Sequence, residues 1–158
     1  MRRVIDSPIG RLTLVADEDI ITGLYFGDVA DSQSYGYSHR VLDQCERELE
    51  AYFKGELMKF SVPVDARGTP FRERVWEVLR RIPYGVTVSY KDVAARMGSP
   101  KAVRAVGGAN HNNPVSIIIP CHRVVGSNGS LTGYGGGMEA KRWLLEMEAK
   151  YASKSNKR

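Results

Sequence analysis

Cys121 sits in the run Pro120-Cys121-His122-Arg123, directly behind Ile117-Ile118-Ile119. An apolar stretch ending in proline delivers the thiol to a turn, with an imidazole and a guanidinium beside it. A nearby cation favours thiolate, the nucleophilic form of cysteine. The same residues also fit an inert cysteine in a core. Further along, Lys141, Leu144, Leu145 and Glu148 recur at three- and four-residue intervals and share one helix face, which the leucines direct inward. A carboxylate on such a face needs a partner, because burying it alone is costly. His122 is the candidate, and carboxylate, imidazole and thiol would then form a relay like the catalytic triads of unrelated folds, directly or through a water. The alternative places Glu148 at the rim beside Glu146. The polar turn His111-Asn112-Asn113-Pro114 either folds against the cysteine turn or only shapes the chain.

These groups need elements to hold them. Thr69 can cap a helix that Pro70 begins, and Phe71, Val75, Leu79 and Ile82 keep helical spacing up to Pro83, with Trp76 widening the stripe. Two short helices follow: residues 90–97, capped by Ser89 and ended by Gly98, and residues 101–110, introduced by Ser99 and Pro100. The second carries Ala102, Ala105 and Ala109 beside Gly107 and Gly108, a thin rod with Arg104 and Lys101 projecting from it. Small residues there permit either tight packing on the preceding helix or close approach to another backbone. Polar side chains able to read base edges are nearly absent, so a DNA-binding role would be independent of sequence. Residues 115–119 read as an extended apolar segment, residues 126–137 as a glycine-rich loop, and a last helix runs over residues 138–151.

Upstream, residues 2–5, 11–16 and 20–26 alternate as strands of a small antiparallel sheet, the last two joined by Asp17-Glu18-Asp19. Residues 27–37 read as a loop. Val41, Leu42, Cys45, Leu49, Tyr52 and Phe53 form a helix ending near Gly55, which packs on the sheet. The stretch 61–68 reads as a connection. The fold class is therefore α+β: an N-terminal domain over residues 1–67, a mainly helical domain with a helix-turn-helix over 68–150, and a basic, frayed tail over 151–158.

The net charge of +5 favours polyanions. Four of the basic residues lie between Lys150 and Arg158, however, so local features must carry any DNA assignment. Two distant cysteines suggest neither a disulfide framework nor structural zinc. With no long apolar run and no leader-like start, a cytoplasmic protein with no membrane partner is expected.

The chain resembles the O6-alkylguanine-DNA alkyltransferases, or methylated-DNA–protein-cysteine methyltransferases. The resemblance runs through Gly68-Thr69-Pro70-Phe71, Val75-Trp76, Ile82-Pro83, Ser89-Tyr90, Arg104-Ala105-Val106-Gly107, Asn113-Pro114, Ile119-Pro120-Cys121-His122-Arg123-Val124, Gly133-Tyr134 and Leu144-Leu145. It is loose before residue 68. It implies a ribonuclease H-like first domain, a winged-helix-like second one, and stoichiometric, irreversible transfer of an alkyl group from O6 of a flipped-out guanine, and less well from O4-alkylthymine, to Cys121. It further implies that His122 and Glu148 relay the proton, Asn113 holds the turn, and Tyr90 helps rotate the nucleotide and donates to the base. Arg104 would fill the vacated stack. Ser99, Lys101, Ala102 and Ser127 would meet the DNA, and Val124, Tyr134 and Gly135 would line the base pocket. No cofactor and no metal are implied, since the cysteine and histidine zinc ligands of some animal members have no counterpart. A monomer on double-stranded DNA is expected. Arg72, where many members have glutamine, and Gly135, where some have serine or alanine, depart from the pattern. Two other readings are a non-enzymatic lesion-binding relative, in which tryptophan usually replaces the nucleophile, and a Cys-His hydrolase with an oxyanion hole and repeated turnover.

Overall fold

The computed structural model describes residues 1–28, 39–131 and 133–155. Strands Arg2–Ile5 (β1), Leu12–Asp17 (β2) and Ile20–Phe26 (β3) form an antiparallel sheet in the order β1-β2-β3. The acidic turn between β2 and β3 is tight, with Glu18 at φ 54°. Leu12, Leu14, Ile21 and Leu24 are buried against helix Arg40–Phe53 (α1), which turns Val41, Leu42, Cys45, Leu49 and Tyr52 inward. Arg3 ties β1 to this helix through Asp43 at 2.7 Å. The loop expected over residues 27–37 lies, from residue 29 onward, outside the described residues.

The outer edge of β3 joins the two halves of the chain. The Ile21 amide donates to Pro63 O at 2.9 Å and Asp65 N donates to Ile21 O at 2.9 Å, so the connecting segment pairs with β3. Further along the same edge, Leu24 N donates to Pro114 O at 2.9 Å and Ser116 N to Leu24 O at 3.3 Å. The stretch just before the cysteine turn is thereby fastened to the N-terminal sheet, and one apolar core runs through both halves.

Helix Pro70–Arg80 (α2) is capped by the Thr69 side chain, and Trp76 crosses the core to donate from Nε1 to Ala109 O at 2.8 Å. Helix Tyr90–Arg96 (α3) opens with a reciprocal capping box between Ser89 and Asp92. Gly98, at φ +73°, takes the left-handed position after it. The second helix of the pair differs from its sequence reading. It is Val103–His111 (α4), with Ala102 at the cap position and no side-chain cap. Ser99 instead accepts the Ala102 amide through its carbonyl at 2.9 Å, closing a turn in which Pro100 holds the second position it favours. Lys101 and Ala102 thus lie ahead of the helix.

The run 115–119 is not a strand. Val115 bridges to β3, and residues 116–119 then fold back on themselves, Ile119 N donating to Val115 O at 3.0 Å. Pairing with β3 lasts one residue because the chain must reverse to reach the cysteine. After a single 3₁₀ turn, Cys121–Arg123, strand Val124–Val125 (β5) pairs in parallel with Val88–Ser89 (β4).

The last helix, Met138–Ser155 (α5), extends beyond its expected end. Residues 151–155, read as frayed tail, are helical, and packing explains it. A Cβ on Gly55, at φ +76°, would lie 2.5 Å from the Tyr151 ring, and one on Gly85 would lie 2.6 Å from Ala152. The rest of that tail, residues 156–158, is outside the described residues.

Candidate active site

The cysteine turn is shaped by an unfavourable backbone. Ile117 is buried and stands at φ 73°, where a β-branched residue costs about 1 to 3 kcal/mol. Asn113 braces this turn from inside: its Nδ2 donates to Ile119 O at 2.8 Å, and its Oδ1 accepts Val115 N at 3.0 Å. Of the two readings of the asparagine turn, the one in which it folds against the cysteine turn is therefore correct. The neighbouring Asn110 donates to Cys121 O at 3.4 Å.

Behind the thiol, Glu148 is 1% exposed and His122 is wholly buried, which disposes of the rim alternative. His122 Nε2 lies 2.7 Å from Glu148 Oε2. A carboxylate only accepts, so Nε2 carries the proton in this contact. The buried Nδ1 has no protein partner and, in the neutral ring, is an acceptor. Burial pushes the His122 pKa below its ordinary value despite the adjoining carboxylate, so the resting imidazole is neutral. Burial opposes the charge on Glu148, but the hydrogen bond with His122 and the Arg123 pair overcome it and hold the carboxyl far below its usual range.

Arg123 does not play its expected part. Its guanidinium grips Glu148 through Nε at 2.8 Å and Nη2 at 3.0 Å, and Nη1 donates to Ile82 O at 2.7 Å. A buried carboxylate draws the nearest guanidinium into a two-pronged pair, which takes that cation from the thiol. Burial raises the Cys121 pKa, opposed by hydrogen bonding from Asn113 and by the charge of Lys141. Lys141 is fully buried, its Nζ donating to Val124 O at 2.7 Å. The thiol is therefore protonated at rest, and the unpartnered Nδ1 of the neutral His122 ring is free to accept a proton.

Cys121 opens onto a cavity of about 460 Å³, lined also by Asn113, Ser116, Tyr134, Gly135 and two residues of β3, Tyr25 and Phe26. Phe26 meets the Tyr134 ring edge-on at 5.2 Å between centroids. The Tyr134 hydroxyl is buried without a partner. Val124, expected in the pocket, is wholly buried and does not line this cavity, because pairing with β4 turns it into the core. Tyr90 does not line it either. It is half-buried at the head of α3, where β4 holds its neighbour Ser89 opposite Val125.

On α4, Val106, Ala109 and Asn110 face inward, while Arg104, Ala105 and Gly108 are exposed. Lys101 is exposed and Ser99 and Ala102 are half-buried in the preceding turn; Ser127 is exposed in the loop after β5. A Cβ built on Gly107 or Gly108 would meet nothing within 4 Å. Packing on α3 therefore does not require these glycines, whereas Ala109 is buried in the core. Among the described residues no three His, Cys, Asp or Glu side chains converge as metal ligands, and no helix is long and apolar enough to cross a membrane.

Sequence reasoning missed Tyr52, Tyr25, Phe26, Ser116 and Lys141 as neighbours of the site. Lys141 alone carried a signal, a cation on the apolar face of α5.

The family model for the 6-O-methylguanine DNA methyltransferase DNA binding domain matches residues 70–150, and that for the ribonuclease-like domain of the same proteins matches residues 1–66. A methylated-DNA–protein-cysteine methyltransferase of Mycobacterium tuberculosis is 49% identical over 153 residues, covering 92% of this chain and 90% of its own length. The constitutive one of Bacillus subtilis is 45% identical over 151 residues, covering 90% and 92%. A crystal structure of Mycobacterium tuberculosis OGT in complex with DNA superposes with a TM-score of 0.87 at 47% identity, over 95% of this chain and 93% of that one.

Proposed function

The chain belongs to the 6-O-methylguanine DNA methyltransferases, proteins of DNA repair by alkyl transfer, and on that premise we propose that Cys121 is the acceptor of the alkyl group. The observation that carries this reading is the buried Glu148–His122 pair at 2.7 Å beside a cysteine that opens onto a cavity. His122, oriented by Glu148, takes the thiol proton through Nδ1 by way of a water. The thiolate attacks the alkyl carbon in line, a carbon–sulfur bond forms, and the carbon–O6 bond breaks with its electron pair left on the base. The base takes up the proton, so the sum is a thioether and an unmodified guanine. Nothing in this scheme regenerates the thiol, and each molecule acts once.

The partner is DNA. An O6-alkyl carbon inside a duplex is out of reach for in-line attack, so the nucleotide is extruded at a cost of a few kcal/mol, less for a poorly paired lesion. Arg104, exposed on α4, fills the gap, and Tyr90 helps rotate the nucleotide and donates to the base. Ser99, Lys101, Ala102 and Ser127 meet the strands, while the bare Gly107 and Gly108 let the backbone approach. Tyr134 and Gly135 line the base pocket. A rod with so few base-reading side chains binds without sequence preference. The protein acts as a cytoplasmic monomer, with residues 1–67 and 68–150 as its two domains.

The test is incubation with an oligonucleotide containing O6-methylguanine, followed by intact mass and peptide mapping. One methyl per molecule, on Cys121, is expected. An unmodified protein that binds the lesion would mean a lesion-binding relative, and repeated turnover of an acyl substrate would mean a hydrolase.

A further inference from the structure

Glu148 accepts more hydrogen bonds than a relay needs. Oε1 receives Arg123 Nε at 2.8 Å and a long contact from Gly85 N at 3.5 Å. Oε2 receives His122 Nε2 at 2.7 Å, Arg123 Nη2 at 3.0 Å and the hydroxyl of Tyr52 at 2.5 Å. Tyr52 comes from α1, in the other half of the chain. It is wholly buried, and its ring is held by Phe53, Phe60 and Tyr84 at centroid distances of 5.5, 5.2 and 6.2 Å. Burial and the neighbouring carboxylate push its pKa well above the ordinary value, so the hydroxyl remains a donor across the working pH range.

We propose that Tyr52 is a positioning residue of the proton relay: its hydroxyl shares Glu148 Oε2 with His122 and sets how strongly that carboxylate draws a proton onto the imidazole. The inference rests on the reading of Cys121, His122 and Glu148 as the relay. Each donor on Oε2 withdraws charge from the oxygen that would stabilise imidazolium. Arg123 already neutralises the carboxylate, and Tyr52 reduces its pull further, which keeps His122 free of a proton until the thiol supplies one. The other titratable or charged groups facing this cluster are Cys121 and Arg123 on the cysteine turn, Lys141 on α5, Tyr84 from the loop after α2 and Tyr134 from the loop before α5. Of the tyrosines, Tyr52 is the one that hydrogen-bonds Glu148; the Tyr84 hydroxyl goes to Met147 Sδ at 3.4 Å.

The experiment measures the single-turnover rate of Cys121 alkylation against pH on O6-methylguanine duplex, with Tyr52→Phe and Tyr84→Phe as variants. Losing the Tyr52 hydroxyl leaves Oε2 more basic toward His122, so the acid limb of the profile moves to higher pH by about half a unit or more. In Tyr84→Phe the limb stays in place. A limb unmoved in Tyr52→Phe, even with a lower rate, overturns the proposal and leaves Tyr52 a packing residue; so does the same displacement in both variants. If Tyr52→Phe does not fold, 3-fluorotyrosine placed at position 52, a stronger donor, moves the limb to lower pH, and no movement there is equally fatal. Peptide mapping separates this failure from failure of the functional reading. A parent protein alkylated at Cys121 upholds Cys121 as the acceptor whatever Tyr52 does, and one not alkylated there removes the basis of both.

Discussion

Replacing Glu148 by glutamine keeps the shape of the side chain and removes the charge on which the cluster converges. Glu148 is 1% exposed and is the acceptor for Arg123 through two nitrogens, for His122 and for Tyr52. The amide offers one oxygen where two were used and turns an NH₂ toward donors. Arg123, itself buried, is left without its counter-charge. Breaking a buried ion pair from one side costs about 3 to 5 kcal/mol, a large part of the roughly 5 to 15 kcal/mol that holds a domain folded. At about 2 to 4 °C per kcal/mol for a chain of this size, Tm falls by roughly 6 to 20 °C. Reactivity falls for a separate reason, since His122 loses the anion that stabilises its imidazolium. Cys121 should alkylate at least about tenfold more slowly, set against the roughly 10²- to 10⁴-fold that a positioned base supplies. Urea unfolding gives the stability, intact mass against time gives the rate, and fluorescence anisotropy on undamaged duplex gives DNA affinity, which should hardly change. Adding Arg123→Met removes the stranded guanidinium and should recover part of the stability without restoring the rate. A Glu148→Gln protein as stable as the parent, or a double variant that regains reactivity, would refute this account of the cluster.

Other outcomes follow from the same geometry. Arg104→Ala should slow repair in duplex far more than reaction with free O6-benzylguanine, because only the duplex has a gap to fill; equal losses on both would remove the finger role. Gly108→Ala should stabilise α4 by about 1 kcal/mol, since the new Cβ meets nothing within 4 Å, whereas Gly108→Leu should weaken duplex binding although its Tm is no lower than the parent's. Unchanged affinity for Gly108→Leu would take this face away from the DNA. Acid sensitivity should come in two stages. The folded pKa of His122 lies below its unfolded value of about 6.5, so the folded protein binds fewer protons and stability begins to fall as pH drops below that point. Glu148, depressed from about 4.3, adds a second loss below that value. Urea midpoints between pH 8 and pH 3 would show this, and a flat profile above about pH 5 would mean that His122 is not held neutral.

Much of the site was legible in sequence because short-range rules govern it. The spacing of Lys141, Leu144, Leu145 and Glu148 placed a carboxylate on a buried helix face, and its need for a partner pointed to His122. Thr69-Pro70 and Ser89 marked where α2 and α3 begin, since caps act within one turn. The same local logic failed where a distant group competed. Arg123 looked like the companion of the thiol from its position beside Cys121, yet the carboxylate of α5 holds it. Residues 115–119 had the composition of a strand, yet the cysteine turn and the edge of β3 bend them back through a left-handed isoleucine. Residues 151–155 looked like solvated tail until Gly55 and Gly85 made room for Tyr151 and Ala152.

By itself, then, the sequence determined which candidate groups stand in the cysteine turn and that Glu148 lies on an inward helix face, because residue type and period are local properties. Which cation lies nearest in effect to the thiol, which strand walls the cavity, and that a tyrosine of the N-terminal half should share a carboxylate oxygen with the His122 imidazole were decided only by the tertiary structure. Those pairings join residues from distant parts of the chain, and burial, not spacing, made each partner necessary.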